Sequence, residues 1–386
     1  MAVKSLDQLD LANKRVLVRV DFNVPMDKNQ QITDDSRIRA ALPTIRYLLE
    51  QGCEITLMSH LGRPKGQVKP EFSLKPVAAH LGELLETEVA LVTDFADGGR
   101  HGKVQLLENL RFSPGETKND ADFAKTLAQY GDVYINDAFG AAHRAHASIA
   151  AVAEHFEEKG AGYLLAKELH YLKEALKNPE RPFVSILGGS KISDKLRLIE
   201  NLIDKVDTLI IGGGMSYTFL EAQGIGIGRS LVEKDFVEEA KRLLELCERK
   251  GVQMLLPLDH LAARDFKEDA DAEITHDQTI AEGLMGLDIG PETINLYNTQ
   301  VAAAKTIVWN GPMGVFEWET FATGTISVAE AMAENPGMTI IGGGDSVAAV
   351  NKAGVQDQMT HISTGGGASL ELLGGHDLPG VTALEA

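Results

Sequence analysis

The apolar positions of this chain fall into two patterns that alternate along its length. Short, nearly continuous runs rich in β-branched residues, such as Arg15 to Asp21 (RVLVRVD), predict buried strands. Between them lie longer segments with helical spacing. In the first half the pattern predicts strands at 15–21 and 54–58, near Val89, at 104–107 and at 133–136. It predicts helices over 37–51, 74–85 and 121–130. Strand–helix alternation of this kind argues for a parallel sheet covered by helices.

A long helical segment is predicted from about Gly162 to Lys177, stopped by Asn178-Pro179. Strand–turn–helix units then resume, with strands predicted at 183–187, 208–211, 252–256, 306–309, 338–341 and 361–363. The expected fold is therefore α/β, with two Rossmann-like domains, each a mainly parallel sheet covered by helices, joined by a hinge helix. The domain boundary falls between Gly162 and Arg181. The expected division is 1–165, a hinge at 166–180, and 181–373.

Glycine clusters close five of the strands in the second half: LGGSK (187–191), IGGGM (211–215), NGPMG (310–314), IGGGD (341–345) and TGGGA (364–368). Intervals and flanking sequences differ, so these are not internal repeats. Ligands of open parallel sheets bind at the carboxyl ends of the strands. Glycine lets backbone amides approach a phosphate, and a helix starting after the turn offers free N–H groups. One such turn often only makes a tight loop; five favour a phosphate-rich ligand. Neither a Walker A sequence nor a GxGxxG after a strand is present, which argues against a P-loop NTPase or an ordinary dinucleotide enzyme.

Charge narrows the classes further. The net charge of −19 argues against a general nucleic-acid binder. Residues 1–160 carry 19 Lys+Arg against 23 Asp+Glu, and residues 161–386 carry 18 against 33. An anionic substrate needs local basic clusters, and the first half is where to look for them. No apolar run is long enough to span a bilayer, and the first ten residues do not read as a signal peptide. The two cysteines, Cys53 and Cys247, form no disulfide framework or metal-ligand spacing. The expectation is a cytoplasmic protein.

Polar residues of the first half gather where strands end: Arg19-Val-Asp21-Phe-Asn23, Ser59-His60-Leu-Gly62-Arg63, Glu108-Asn109-Leu-Arg111 and Ala142-His143-Arg144-Ala-His146, with Arg37 at a helix start. A lone Arg is usually a solvated residue or a surface ion pair, and a lone His is usually structural. Their common position at strand ends favours an anion site built from guanidinium forks.

RVDFNVP (19–25), SHLGRP (59–64), LENLRF (107–112), AHRAH (142–146), LGGSKISDK (187–195), IGGGMSYTFL (211–220), VWNGPMGVFE (308–317), IGGGDS (341–346) and STGGGASLELL (363–373) resemble, in order and over nearly the whole chain, the signature segments of the phosphoglycerate kinase family. The resemblance implies a first domain that binds 3-phosphoglycerate or its acyl phosphate through Asp21, Asn23, Arg37, His60, Arg63, Arg111 and Arg144. It implies a second domain that binds Mg-ADP or Mg-ATP. There Lys191 and Lys195 would meet phosphates, Glu317 the ribose hydroxyls and Asp345 the metal. Ser346 and the glycine segments, with Gly212, Gly213, Asn310, Pro312, Gly343 and Gly344, would complete the nucleotide site. It also implies a tail, 374–386, that returns to the first domain, and a monomer. Leu258-Asp-His260-Leu, Ala141 and Gly374-Gly375 depart from the family's usual pattern, which puts local packing in doubt.

The expected reaction is reversible phosphoryl transfer between 1,3-bisphosphoglycerate and ADP, by in-line transfer with domain closure. Arg37, Lys191 and the amide of Gly366 are the expected catalytic groups. The acceptor carboxylate is already ionised at neutral pH, so no general base is required and His60 reads as a hydrogen-bond donor. Lys191 and Lys195, four apart, are expected to share a helix face. Two alternatives stay open: another small-molecule kinase or ligase, and a non-catalytic nucleotide-binding protein.

Overall fold

The computed structural model describes residues 3–96, 98–174 and 176–385. Two compact units emerge, one made of residues up to His170 together with 377–385, the other of Tyr171–His376.

In the first unit, six parallel strands are β1 (Arg15–Val20), β2 (Glu54–Met58), β3 (Val89–Val92), β4 (Val104–Leu107), β5 (Val133–Asp137) and β6 (Lys159–Ala161). Their spatial order is β3-β4-β2-β1-β5-β6. β1 is central, and every residue in it except Arg15 is buried, as a strand covered on both faces requires. The helix Ser36–Glu50 buries Ile38, Ala41, Leu42, Ile45 and Leu48, a single 3.6-period face, in the same core as β1 and β2. The helix Pro379–Glu385 also belongs here: Gly380 N donates to Ala142 O at 2.9 Å, and Asn136 Nδ2 donates to Gly380 O at 3.4 Å.

In the second unit, the main sheet contains β7 (Phe183–Leu187), β8 (Thr208–Ile211), β9 (Gln253–Leu255), β13 (Thr306–Asn310), β14 (Met338–Gly342) and β15 (His361–Ile362), all parallel, in the order β15-β14-β13-β7-β8-β9. A smaller antiparallel sheet consists of β10 (His260–Ala263), β11 (Ala272–Ile274) and β12 (Met285–Ile289). Two sheets of parallel strands with covering helices confirm the expected α/β class.

Local differences have physical causes. The antiparallel sheet carries no alternating signal, because β11 is exposed throughout and β10 (HLAA) contains no β-branched residue. The predicted helix 162–177 is an α-helix over Tyr163–Leu169 followed by a π-helical turn over His170–Glu174. Lys191 and Lys195 do not share a helix face. The next helix starts only at Leu196, and Lys195 is its N-cap. Among the described residues, no helix is long and apolar enough to cross a membrane.

Candidate active site

The first unit gathers its basic residues at the carboxyl ends of β1, β2, β4 and β5. Arg19 lies at zero exposure within the apolar run of β1. It donates from Nε to Ser148 Oγ (2.8 Å), from one terminal nitrogen to Val20 O, and from the other to His60 Nδ1 (3.1 Å). A guanidinium only donates, so His60 Nδ1 accepts and the ring proton sits on Nε2. Ser148 Oγ in turn donates to Glu116 Oε1 (2.6 Å), and Glu116 is fully buried. The sequence pattern placed Arg19 only among the polar residues at strand ends and singled out neither Glu116 nor Ser148. An arginine inside a VLV-R-V strand was the available signal.

Around this cradle stand the expected ligand-binding residues. Asp21 accepts from Arg37 at 2.7 Å, leaving the other two guanidinium nitrogens of Arg37 unbonded among the described residues. Asn23 Oδ1 accepts from Gly62 N (2.9 Å). Arg111 donates to Gly62 O (2.7 Å), while its buried Nε has no hydrogen-bond partner among the described residues. A buried, unanswered donor beside other cations suits an incoming oxyanion. Arg144 donates to His143 Nε2 (3.2 Å). Arg63 is exposed, and its guanidinium makes no hydrogen bond or ion pair among the described residues.

The cations act on one another. Burial, then Arg19, Arg111 and Arg144, hold His60 well below its ordinary value of 6.5. Burial, then Arg111 and Arg19, bring His146 down to about 4. Its 3.8 Å approach to Glu116 is thus a contact of a neutral ring at pH 7. Arg111 is pushed down to about 10 by burial and by Arg144 and Arg19, and stays charged. Cations crowded closely enough to lower one another's proton affinity favour anion binding.

This unit should consequently be acid-labile. His60 and His146 are neutral when folded and ionise near 6.5 when unfolded, so below that pH the unfolded chain binds more protons. Stability is complete above about pH 6.5 and falls as pH drops toward 4. Asp137, raised to about 6 by burial, works in the opposite sense over part of that window, but is one group against two. Hydrogen exchange of β1 and β5 amides at pH 7 and pH 5 tests this. Protection should fall at pH 5, and a His60→Gln/His146→Gln variant should flatten the dependence. An equal pH dependence in the variant would contradict it.

In the second unit, the glycine turns lock into one another by backbone contact. Gly188 N donates to Asn310 O (3.0 Å), Gly189 N to Pro312 O (3.0 Å), Gly212 N to Leu187 O (2.8 Å) and Gly213 N to Met313 O (3.0 Å). Helices start directly after three of the five turns, at Met215, Gly344 and Gly367. After LGGSK and NGPMG the helices start only at Leu196 and Thr323, so the expected helix N-terminus is missing there. Lys195 is half-buried and donates to Asn310 Oδ1, while Asn310 Nδ2 donates to Gly342 O (2.8 Å). Burial, partly offset by Asp345 and Asp194, lowers Lys195 to about 8. Ser346 is buried and accepts from Gly311 N (2.6 Å). Asn310 and Ser346 thus brace the loops from behind, as does the buried Gly212.

A cleft of about 350 Å³ opens beside these turns, with Gly213, Pro312, Glu317 and Asp345 on its walls and Tyr217 and Phe266 among its apolar lining. Asp345 and Glu317 are exposed, and neither carboxylate makes a hydrogen bond or ion pair among the described residues. Lys191 is exposed on the loop before Lys195, and Gly343 and Gly344 lead into the helix that carries Asp345. Gly366, at φ 49°, precedes the helix Gly367–Leu373 with open space around it.

Comparison with known proteins decides what this arrangement is. The profile described as phosphoglycerate kinase matches residues 6–376. The chain belongs to the phosphoglycerate kinase family. The phosphoglycerate kinase of Clostridium tetani is 56% identical, over 99% of this chain and 97% of that one. The solved structure of phosphoglycerate kinase from Coxiella burnetii is 44% identical, covers 99% of both chains and gives a TM-score of 0.95. That from Pyrococcus horikoshii is 33% identical, covers 100% of this chain and 98% of the other, and gives 0.82. Membership of the phosphoglycerate kinase family makes the chain a phosphotransferase with a carboxyl group as acceptor and ADP or ATP as nucleotide. It disfavours a different small-molecule kinase and a non-catalytic binder.

Proposed function

We propose that the chain catalyses reversible phosphoryl transfer between 1,3-bisphosphoglycerate and ADP, giving 3-phosphoglycerate and ATP. The observation that carries this reading is the buried, unanswered Nε of Arg111 within a cluster of cations. In this reading Arg37, Arg63, Arg111 and Arg144 bind the glycerate's phosphate and carboxylate, with Asp21 and Asn23 on its hydroxyl. His60 offers its Nε2–H as a donor. The carboxylate acceptor, with an ordinary pKa of about 4, arrives ionised, so no residue needs to remove a proton. Arg37 and Lys191 meet the charge that develops on the transferring group, helped by the amide of Gly366.

Nucleotide occupies the 350 Å³ cleft, with Lys195 and the loop amides at its phosphates and Glu317 at its ribose. Among the described residues no group of three acidic, His or Cys side chains is arranged to hold a metal. The unpartnered Asp345 carboxylate at the cleft therefore fits a magnesium ion carried mainly by the nucleotide. Magnesium supplies charge neutralisation on the phosphates. The same reading makes the protein a cytoplasmic monomer. A coupled assay tests the function: turnover should require 3-phosphoglycerate and Mg-ATP together, and ATP consumption without the glycerate would count against it.

Glu317→Ala should raise the nucleotide KM while leaving 3-phosphoglycerate affinity nearly unchanged. Calorimetry on the purified variant checks this, and normal nucleotide binding would remove Glu317 from the site.

The assignment of the two substrates to separate units also predicts domain closure, with 166–180 as the hinge. Reacting atoms must come within roughly 3–3.5 Å. Small-angle scattering should show a smaller radius of gyration only with both substrates bound, and an unchanged ternary radius would contradict closure.

A further inference from the structure

A second cavity lies in the first unit, at the carboxyl ends of the edge strand β3 and its neighbour β4. Its volume is about 600 Å³, within the range of roughly 300–1,000 Å³ usual for small-molecule sites. The glycerate reading makes no use of it. Its walls are apolar and flat: Pro70 and Pro76 from the segment before and at the start of the helix Lys75–Leu85, Phe95 from the loop after β3, and Phe112 from the turn after β4. Phe95 is held by Phe123, ring centroids 6.1 Å apart. Val68 stands at this cavity with 78% of its surface exposed.

The polar groups are divided in a way that defines the ligand. Glu108 is the carboxylate of the lining, and it is already satisfied. It accepts from Ser73 Oγ (2.7 Å), Leu74 N (2.7 Å) and Asn109 N (2.8 Å). It therefore asks for no cation from an occupant. Lys69 and Lys75 also line the cavity, and among the described residues neither ammonium has a hydrogen-bond or ion-pair partner. Two unanswered cations on one cavity wall, beside a carboxylate that is already satisfied, point to an anion.

We propose that this cavity binds a small amphipathic monoanion with a flat aromatic body, of the aromatic carboxylate class. The ring system lies between the proline and phenyl faces, and the carboxylate meets Lys69 and Lys75. No covalent step is involved. The site is separate from the glycerate-binding cluster of the same unit.

The probe is 2-naphthoate, with neutral 2-naphthalenemethanol as its control, titrated into the full chain by calorimetry and methyl NMR. Saturable one-to-one binding is expected with a Kd at or below about 1 mM, and it should shift the Val68 methyl resonances. The neutral compound, and the Lys69→Gln/Lys75→Gln variant with 2-naphthoate, should each bind about three- to tenfold more weakly, the weight of exposed ion pairs. Saturating 3-phosphoglycerate should not displace the probe. The proposal is overturned by non-saturable binding, by equal affinity for the neutral compound, by an unaffected lysine variant, or by displacement with 3-phosphoglycerate. Displacement would assign the probe to the arginine cluster and leave the kinase reading intact.

Discussion

Replacing Arg37 by alanine is expected to lower kcat about 100- to 1,000-fold, with a much smaller change in 3-phosphoglycerate affinity. Arg37 sits in the first turn of the helix Ser36–Glu50, and Asp21 holds one of its terminal nitrogens at 2.7 Å. That contact aims the guanidinium without consuming it, since two nitrogens stay available. In the proposed reading the ground-state ligand already meets Arg111 and Arg144. Charge on the transferring group grows only as the reaction proceeds, and a donor that meets this later charge stabilises the transition state selectively. Steady-state kinetics separate the two roles. A raised KM with kcat within a few-fold would make Arg37 a ground-state binder. Asp21→Asn should show a weaker form of the same loss, because it loosens the aim and leaves the cation in place.

Gly188→Ala is expected to have the next-largest effect, by a different route. A Cβ at Gly188 would lie 2.0 Å from Pro312 O and 2.6 Å from Gly311 O. Both obstacles are backbone, so no rotamer change relieves the clash, and the two loops must separate. Separation breaks the bonds from Gly188 N to Asn310 O and from Gly189 N to Pro312 O, and it displaces the Asn310 side chain that holds Lys195. Overpacking of a closely fitted site typically costs about 1–3 kcal/mol. Nucleotide affinity should fall together with the melting temperature of the second unit, while 3-phosphoglycerate binding stays near normal. Trp309 and Trp318 both lie in the second unit, so tryptophan fluorescence reports on its unfolding. Full nucleotide affinity in this variant would show that the interlocked turns are not the phosphate cradle.

The sequence carried the parallel strands well, because a strand covered on both faces must be apolar nearly throughout. β1, β7, β8 and β13 are such runs. It carried the antiparallel strands poorly, because β11 is exposed and β12 contains a glycine and a buried aspartate. Residues at strand ends could be recognised by position, which is why the arginine and glycine clusters were visible. Residues behind them were not. Arg19, Glu116 and Ser148 become a cradle only when the chain folds, since the contacts join positions 19 and 148 or 116 and 148. Helical spacing also misled at Lys191 and Lys195: four residues apart means one face only inside a helix, and this segment is a turn. The apolar cavity at β3 and β4 draws on Val68, Phe95 and Phe112, which no local pattern connects.

The central claim is that phosphate passes to the carboxylate of a phosphoglycerate. The most direct measurement is to incubate the protein with Mg-ATP, 3-phosphoglycerate and hydroxylamine, and to follow hydroxamate and ADP together. Hydroxylamine captures an acyl phosphate as it forms. Equal amounts of hydroxamate and ADP, both dependent on 3-phosphoglycerate, are the predicted result. ADP and inorganic phosphate formed at the same rate without 3-phosphoglycerate, and with no hydroxamate, would contradict the account.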